Sequence, residues 1–106
     1  MTTKWLNLVV DQETQKRLNV SAQQVHSIVG TPGRLKGVLT WVIFVQQDDG
    51  TYRVHFRSKG PIINELAKQH DGGGHPLASG AKAADQAEID TIITALSALA
   101  ADYTAQ

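Results

Sequence analysis

The sequence predicts an α/β fold: a mixed β-sheet of about four to five strands with helices packed on it, in one compact domain over residues 1–106. Three observations carry that expectation. Strand-like and helix-like segments alternate along the chain. The segment from Gly37 to Gln47 is apolar on both faces, which is the pattern of a strand covered on both sides. Near the C-terminus, Ile89, Ile92, Ile93, Leu96, Leu99, Ala100 and Tyr103 repeat at the period of a long amphipathic helix.

The individual elements follow from local signals. Trp5 to Val10 reads as a short strand, and Asp11 caps a helix running to about Leu18. Ser21 and Gln24 have capping-box spacing ahead of a helix that buries Val25, Ile28 and Val29. Gly30-Thr31-Pro32-Gly33 is a short internal loop. Asp48-Asp49-Gly50 predicts a hairpin into the strand Thr51–Ser58, whose residues alternate. Tyr52, Val54 and Phe56 point one way; Arg53, His55 and Arg57 point the other. Gly60-Pro61 is expected to open a helix with an apolar stripe of Ile62, Ile63, Leu66 and Ala67, stopped at Asp71-Gly72. A glycine loop, Gly72 to Pro76, leads into a small-residue strand through Leu77–Ala81, and Asp85 with Glu88 caps the final helix. Trp5 and Trp41 fall in strands and are expected in the core.

Composition removes several function classes. The chain has no cysteine, which excludes disulfides, a thiol nucleophile and cysteine-type zinc sites. No apolar run approaches the roughly 20 residues that cross a bilayer, and the N-terminus lacks a secretory signal pattern, so a cytoplasmic protein without membrane partners is the default. Ten Lys and Arg balance ten Asp and Glu, so the chain is not a generally basic nucleic-acid coat. The charge is nevertheless segregated: Arg53, Arg57 and Lys59 lie in a stretch without acids, and Asp85, Glu88, Asp90 and Asp102 in one without bases. A neutral protein with one basic strip can bind anions.

Two constellations could carry chemistry. The triplet Gly72-Gly73-Gly74 exceeds what a helix C-cap requires, and each glycine costs conformational entropy. Close approach of an anion to bare backbone N–H groups is a reason to accept that cost, and His75 adds a ring donor. A flexible loop with an incidental histidine is the alternative. The second constellation is the Arg53-His55-Arg57 stripe. Successive side chains on one strand face stand roughly 6–7 Å apart, close to the spacing of adjacent phosphates along a single strand. Its alternative is an ordinary solvated strand face. His70-Asp71 has the look of a metal-ligand pair, but the further ligands are missing, and the four histidines (His26, His55, His70, His75) show no metal-binding spacing. No metal ligand is therefore expected in this chain.

Together Phe56-Arg57-Ser58-Lys59-Gly60, the helix Ile62–His70 and the string GGGHPLASGA at 72–81 resemble the DHH-associated substrate-binding domain at the C-terminus of DHH phosphoesterases. The similarity is greatest to the branch of bifunctional oligoribonucleases and 3'-phosphoadenosine 5'-phosphate phosphatases (nanoRNases). It covers almost the whole chain, with a looser match up to Leu35. The resemblance implies a clamp: an N-terminal catalytic DHH domain holds two manganese ions, and the C-terminal domain closes on the substrate. Carried across, Gly73, Gly74 and His75 hold the reacting phosphate, Arg57 and Ser58 a further phosphate, and Arg53 or His55 lines the approach. The family commonly has Arg where His55 stands. No Asp-His-His sequence occurs here. The resemblance therefore implies a domain that binds no cofactor itself, is inactive alone, and pairs with a manganese-loaded catalytic domain. Its ligands are short single-stranded RNA or a nucleotide bisphosphate, and a homodimer stays open. A free-standing nucleic-acid or nucleotide-binding module and a pure oligomerisation domain are the competing readings.

Overall fold

The computed structural model describes residues 5–18 and 38–103. Five strands form one sheet: β1 (Trp5–Val10), β2 (Thr40–Gln46), β3 (Tyr52–Ser58), β4 (Gly73–His75) and β5 (Ala78–Ala83), in the order β1-β2-β3-β5-β4. The β1–β2 pair is parallel and the other three pairs are antiparallel, so the expected mixed sheet is present. Among the described residues three helices accompany it: α1 (Gln12–Leu18), α2 (Asn64–Lys68) and α3 (Gln86–Asp102). The Ser21–Gln24 capping box, the helix with Val25, Ile28 and Val29, the Gly30–Gly33 loop and His26 lie outside the described residues.

Local chemistry sets the boundaries. Asp11 accepts a hydrogen bond from the Thr14 N–H at 2.7 Å and starts α1. The β2–β3 hairpin closes through Gln47 N–H to Thr51 O (2.7 Å) and Gly50 N–H to Gln47 O (3.0 Å). At α3, Asp85 accepts from the Glu88 N–H at 3.0 Å while Glu88 accepts from the Ala84 N–H at 2.8 Å, a reciprocal capping box.

One side of the sheet carries the core. Val42 and Phe44 of β2, Val54 and Phe56 of β3, and Ala81 and Ala83 of β5 meet Ile63, Leu66 and Ala67 around α2 and Ile89, Ile92 and Leu96 of α3. Each large side chain buried there contributes roughly 1.5–3 kcal/mol. Trp5 packs against this cluster, and Trp41 is buried on the opposite side with Ile43 and Val45. Strand β2 is thus covered on both faces, as its composition requires.

Two expectations need correction. The helix after Gly60-Pro61 begins only at Asn64; the segment ahead of it is tied to neighbouring turns, Lys59 N–H to Leu39 O and Ile63 N–H to Pro76 O. Ile62 consequently leaves the apolar stripe and is 58% exposed. The glycine segment is not a loop but the edge strand β4, paired with β5.

Gly72 explains part of that glycine usage. A Cβ there would land on the Gly80 carbonyl oxygen and lie 2.6 Å from the Ala81 Cα, so α2 can return to the sheet only through a bare residue. Its neighbour His70 ties the same return to α3, with Nδ1 at 2.7 Å from the Glu88 carboxylate. That contact, with the Ala84 N–H, holds the Glu88 carboxyl below its ordinary range.

Gly72→Ala is therefore expected to lower the melting temperature by roughly 10–20 °C, whereas Gly80→Ala, whose added methyl meets only the Val54 oxygen at 3.6 Å, should fold normally. Glu88 adds a pH dependence. A carboxylate whose folded pKa is depressed stabilises the fold above its unfolded value of 4.5, and that contribution disappears as pH falls through the lower folded value. Glu88→Gln should melt below the parent at about pH 7, with the gap closing towards about pH 2 in a pH series of melting curves.

Candidate phosphate-binding face

Strand register assembles the side of the sheet opposite the core. Residues paired across an antiparallel ladder share a face, so three rows cross it. One row runs Trp41, Arg57, Ala78, His75; the next Ile43, His55, Gly80, Gly73; the last Val45, Arg53, Lys82. The β2 end of each row is apolar and buried, while Arg53, Lys82 and His75 are exposed and His55 and Arg57 half-buried. The middle of the first two rows is nearly devoid of side chain: Ala78, Gly80 and Gly73 make a bare floor.

The first row has the geometry of an anion cradle. Neighbouring strands stand about 4.8 Å apart, so Arg57 and His75, two strands apart, are separated by roughly 10 Å with only the Ala78 methyl between them. Arg57 is pre-aimed across the floor: Nη1 donates to Phe56 O at 2.7 Å and reaches Ser79 O at 3.5 Å, leaving its other guanidinium N–H groups for a ligand.

His75 is fixed by its own turn. The Leu77 N–H donates to His75 Nδ1 at 3.1 Å, so the neutral ring carries its proton on Nε2, as a donor. Ser79 Oγ donates to His75 O at 2.7 Å. The Pro76–Leu77 turn is held from both sides: Ser58 N–H donates to Leu77 O and Ile63 N–H to Pro76 O, both at 2.9 Å.

The structure thus brings Arg57, His55, Gly73, His75 and Arg53 to one face. Ser58 occupies the alternate parity of β3; its hydroxyl reaches Leu39 O at 3.4 Å and accepts from the Gly60 N–H at 3.1 Å, bracing the turn after the strand. Gly73 and Gly74 have φ of +156° and +141°, extended backbone on the side that side chains avoid, rather than the alternating left- and right-handed turns of an anion nest. The nest expectation is corrected accordingly. What β4 offers is a sheet edge, where alternate N–H groups face outwards. A Cβ on Gly74 would also sit 3.0 Å from Ala78 O, so its lack of a side chain serves the hairpin.

Two residues escaped the sequence reading. Lys82 joins the Arg53 row through the register of β5, a signal present in the alternation Ala78, Gly80, Lys82. Ser79 positions His75 through a contact between strands that no sequence spacing reveals. His70 is engaged with Glu88, and among the described residues no group of three or more His, Asp or Glu side chains is placed to hold a metal. Among the same residues, no helix is long and apolar enough to cross a membrane.

Comparison with known proteins places this geometry in context. Residues 3–102 match the DHHA1 domain family. The chain is 47% identical over 85 residues to a probable bifunctional oligoribonuclease and PAP phosphatase NrnA of Streptococcus mutans, covering 80% of this chain and 27% of that protein. It is 41% identical over 97 residues to the bifunctional oligoribonuclease and PAP phosphatase NrnA of Bacillus subtilis, covering 92% of this chain and 31% of that protein. The chain therefore spans less than a third of these relatives. Among solved structures, an exopolyphosphatase-related protein from Bacteroides fragilis superposes with a TM-score of 0.74 at 20% identity, over 90% of this chain and 30% of that one. The C-Ala domain of the Aquifex aeolicus alanyl-tRNA synthetase superposes at 0.58 and 13% identity, over 89% and 88%. These two likenesses describe the fold.

Proposed function

This chain belongs to the DHHA1 domain family, and from that premise we propose that it is the substrate-binding part of a two-domain phosphoesterase acting on short oligoribonucleotides and 3'-phosphoadenosine 5'-phosphate. The names of the two NrnA relatives support the substrate class, and their greater length supports a catalytic DHH domain as partner. The observation that carries the reading is the row Arg57–Ala78–His75: two donors on one face of the sheet with only a methyl side chain between them.

In this reading the phosphate lies over Ala78. Arg57 supplies a planar fork that matches phosphate oxygens, and His75 donates from Nε2. Gly73 and Gly74 let the phosphate approach the β4 edge without a side chain in the way. His55 and Arg53 extend the contact along β3, and Ser58 acts by shaping the turn that follows. These groups bind and orient; in the assembled enzyme they also neutralise charge developing on the phosphoryl oxygens.

Manganese belongs, on this proposal, to the catalytic domain. Among the described residues no third ligand joins the pair of His70 and Glu88, which supports placing the metal outside them. Binding without turnover is the expected behaviour of the isolated chain, and a cytoplasmic setting follows from the proposed substrates.

Titration of the chain with adenosine 5'-monophosphate is expected to give a dissociation constant on the order of 10 µM to 1 mM, weakening several-fold from low to physiological salt. Arg57→Ala and His75→Ala should each cost about 1–3 kcal/mol of binding and no more than about 1 kcal/mol of stability. A variant that keeps full affinity, or loses the fold along with the ligand, removes that residue from the site.

A further inference from the structure

Arg53 and Lys82 stand directly opposite each other on adjacent strands and on the same face. Like charges in that position repel and weaken a sheet. Both side chains are exposed, and among the described residues neither makes an ion pair; Lys82 feels Asp49 only at longer range, and Asp49 is occupied by hydrogen bonds to Thr51. A hollow of about 310 Å³ lies over the pair, lined also by His55, Gly80 and the single carboxylate Asp71. It shares Arg53, Asp71 and Lys82 with a larger hollow of about 780 Å³ at that end of the sheet. The pair sits four residues along β3 from Arg57, roughly 13 Å away, or about two phosphate steps of an extended single strand.

We infer that Arg53 and Lys82 form a second anion site, which takes the phosphate two steps along an oligonucleotide whose first phosphate lies between Arg57 and His75. The inference rests on the proposed phosphate-binding function and deepens it: the face measures chain length. A mononucleotide reaches only the first row. A trinucleotide spans all three, passing His55 and the bare Gly80, and its distal phosphate relieves the repulsion between the two cations. A residue kept for folding would not be a like-charged partner of its neighbour.

The test compares adenosine 5'-monophosphate with 5'-phosphorylated triadenylate, by NMR titration of the full chain at fixed salt. Lys82→Ala is expected to weaken triadenylate binding about tenfold, with less than about twofold effect on the mononucleotide, and to lower the salt slope for triadenylate by about one. Arg57→Ala, by contrast, should weaken both ligands. Because the substitution removes a repulsion, Lys82→Ala should melt no lower than the parent. Equal triadenylate affinity in the parent and Lys82→Ala, or an equal loss for both ligands, overturns the second site and leaves the first intact. If the parent chain binds neither ligand, the proposed function falls and this inference with it.

Discussion

Everything on the side of the sheet opposite the core depends on one short turn, Pro76–Leu77, being pinned where it is. Ser58 at the end of β3 donates to Leu77 O, and Ile63 ahead of α2 donates to Pro76 O, each at 2.9 Å. The two bonds fix where the β4–β5 hairpin begins, and a strand register cannot slip by one residue without turning every side chain to the other face. With the register fixed, Ala78 falls beside Arg57 and His75 beside Ala78. The same bond that anchors the hairpin also ties down the residue just ahead of α2.

The sheet divides its labour by face. On one side, α2 and α3 cover β2, β3 and β5, and the apolar side chains there supply the stability. On the other, the β3–β5–β4 half carries glycine and alanine where a stable sheet would carry β-branched residues. That half gives up packing to keep backbone accessible, and it sets cations around the exposed floor. Local choices that weaken a fold while leaving a coherent set of donors are expected at binding sites.

Much of this was legible in the residues. The alternation of Thr51–Ser58 separated the core face from the cationic face, and the Asp85–Glu88 spacing announced the α3 cap, because both patterns are confined to one element. What needed the structure were relations between distant elements. The glycine run reads as a nest when seen alone, but Gly72 is bare because β5 passes against it, and Gly73 and Gly74 are extended. Lys82 shares the alternation of Ala78 and Gly80, but only the register places it opposite Arg53. The helix after Pro61 starts at Asn64, and the Ile63 N–H just ahead of it is tied to a carbonyl from a turn further along the chain.

The central claim is that phosphate lies on the floor between Arg57 and His75. Mapping amide shifts of the labelled chain during a titration with adenosine 5'-monophosphate tests it most directly. The account predicts that the largest changes fall on Gly73, Gly74, His75, Ala78 and Gly80, with the Arg57 side-chain signals moving alongside them. Changes centred on the outer surface of α3 or on β1, with the floor residues silent, would contradict it.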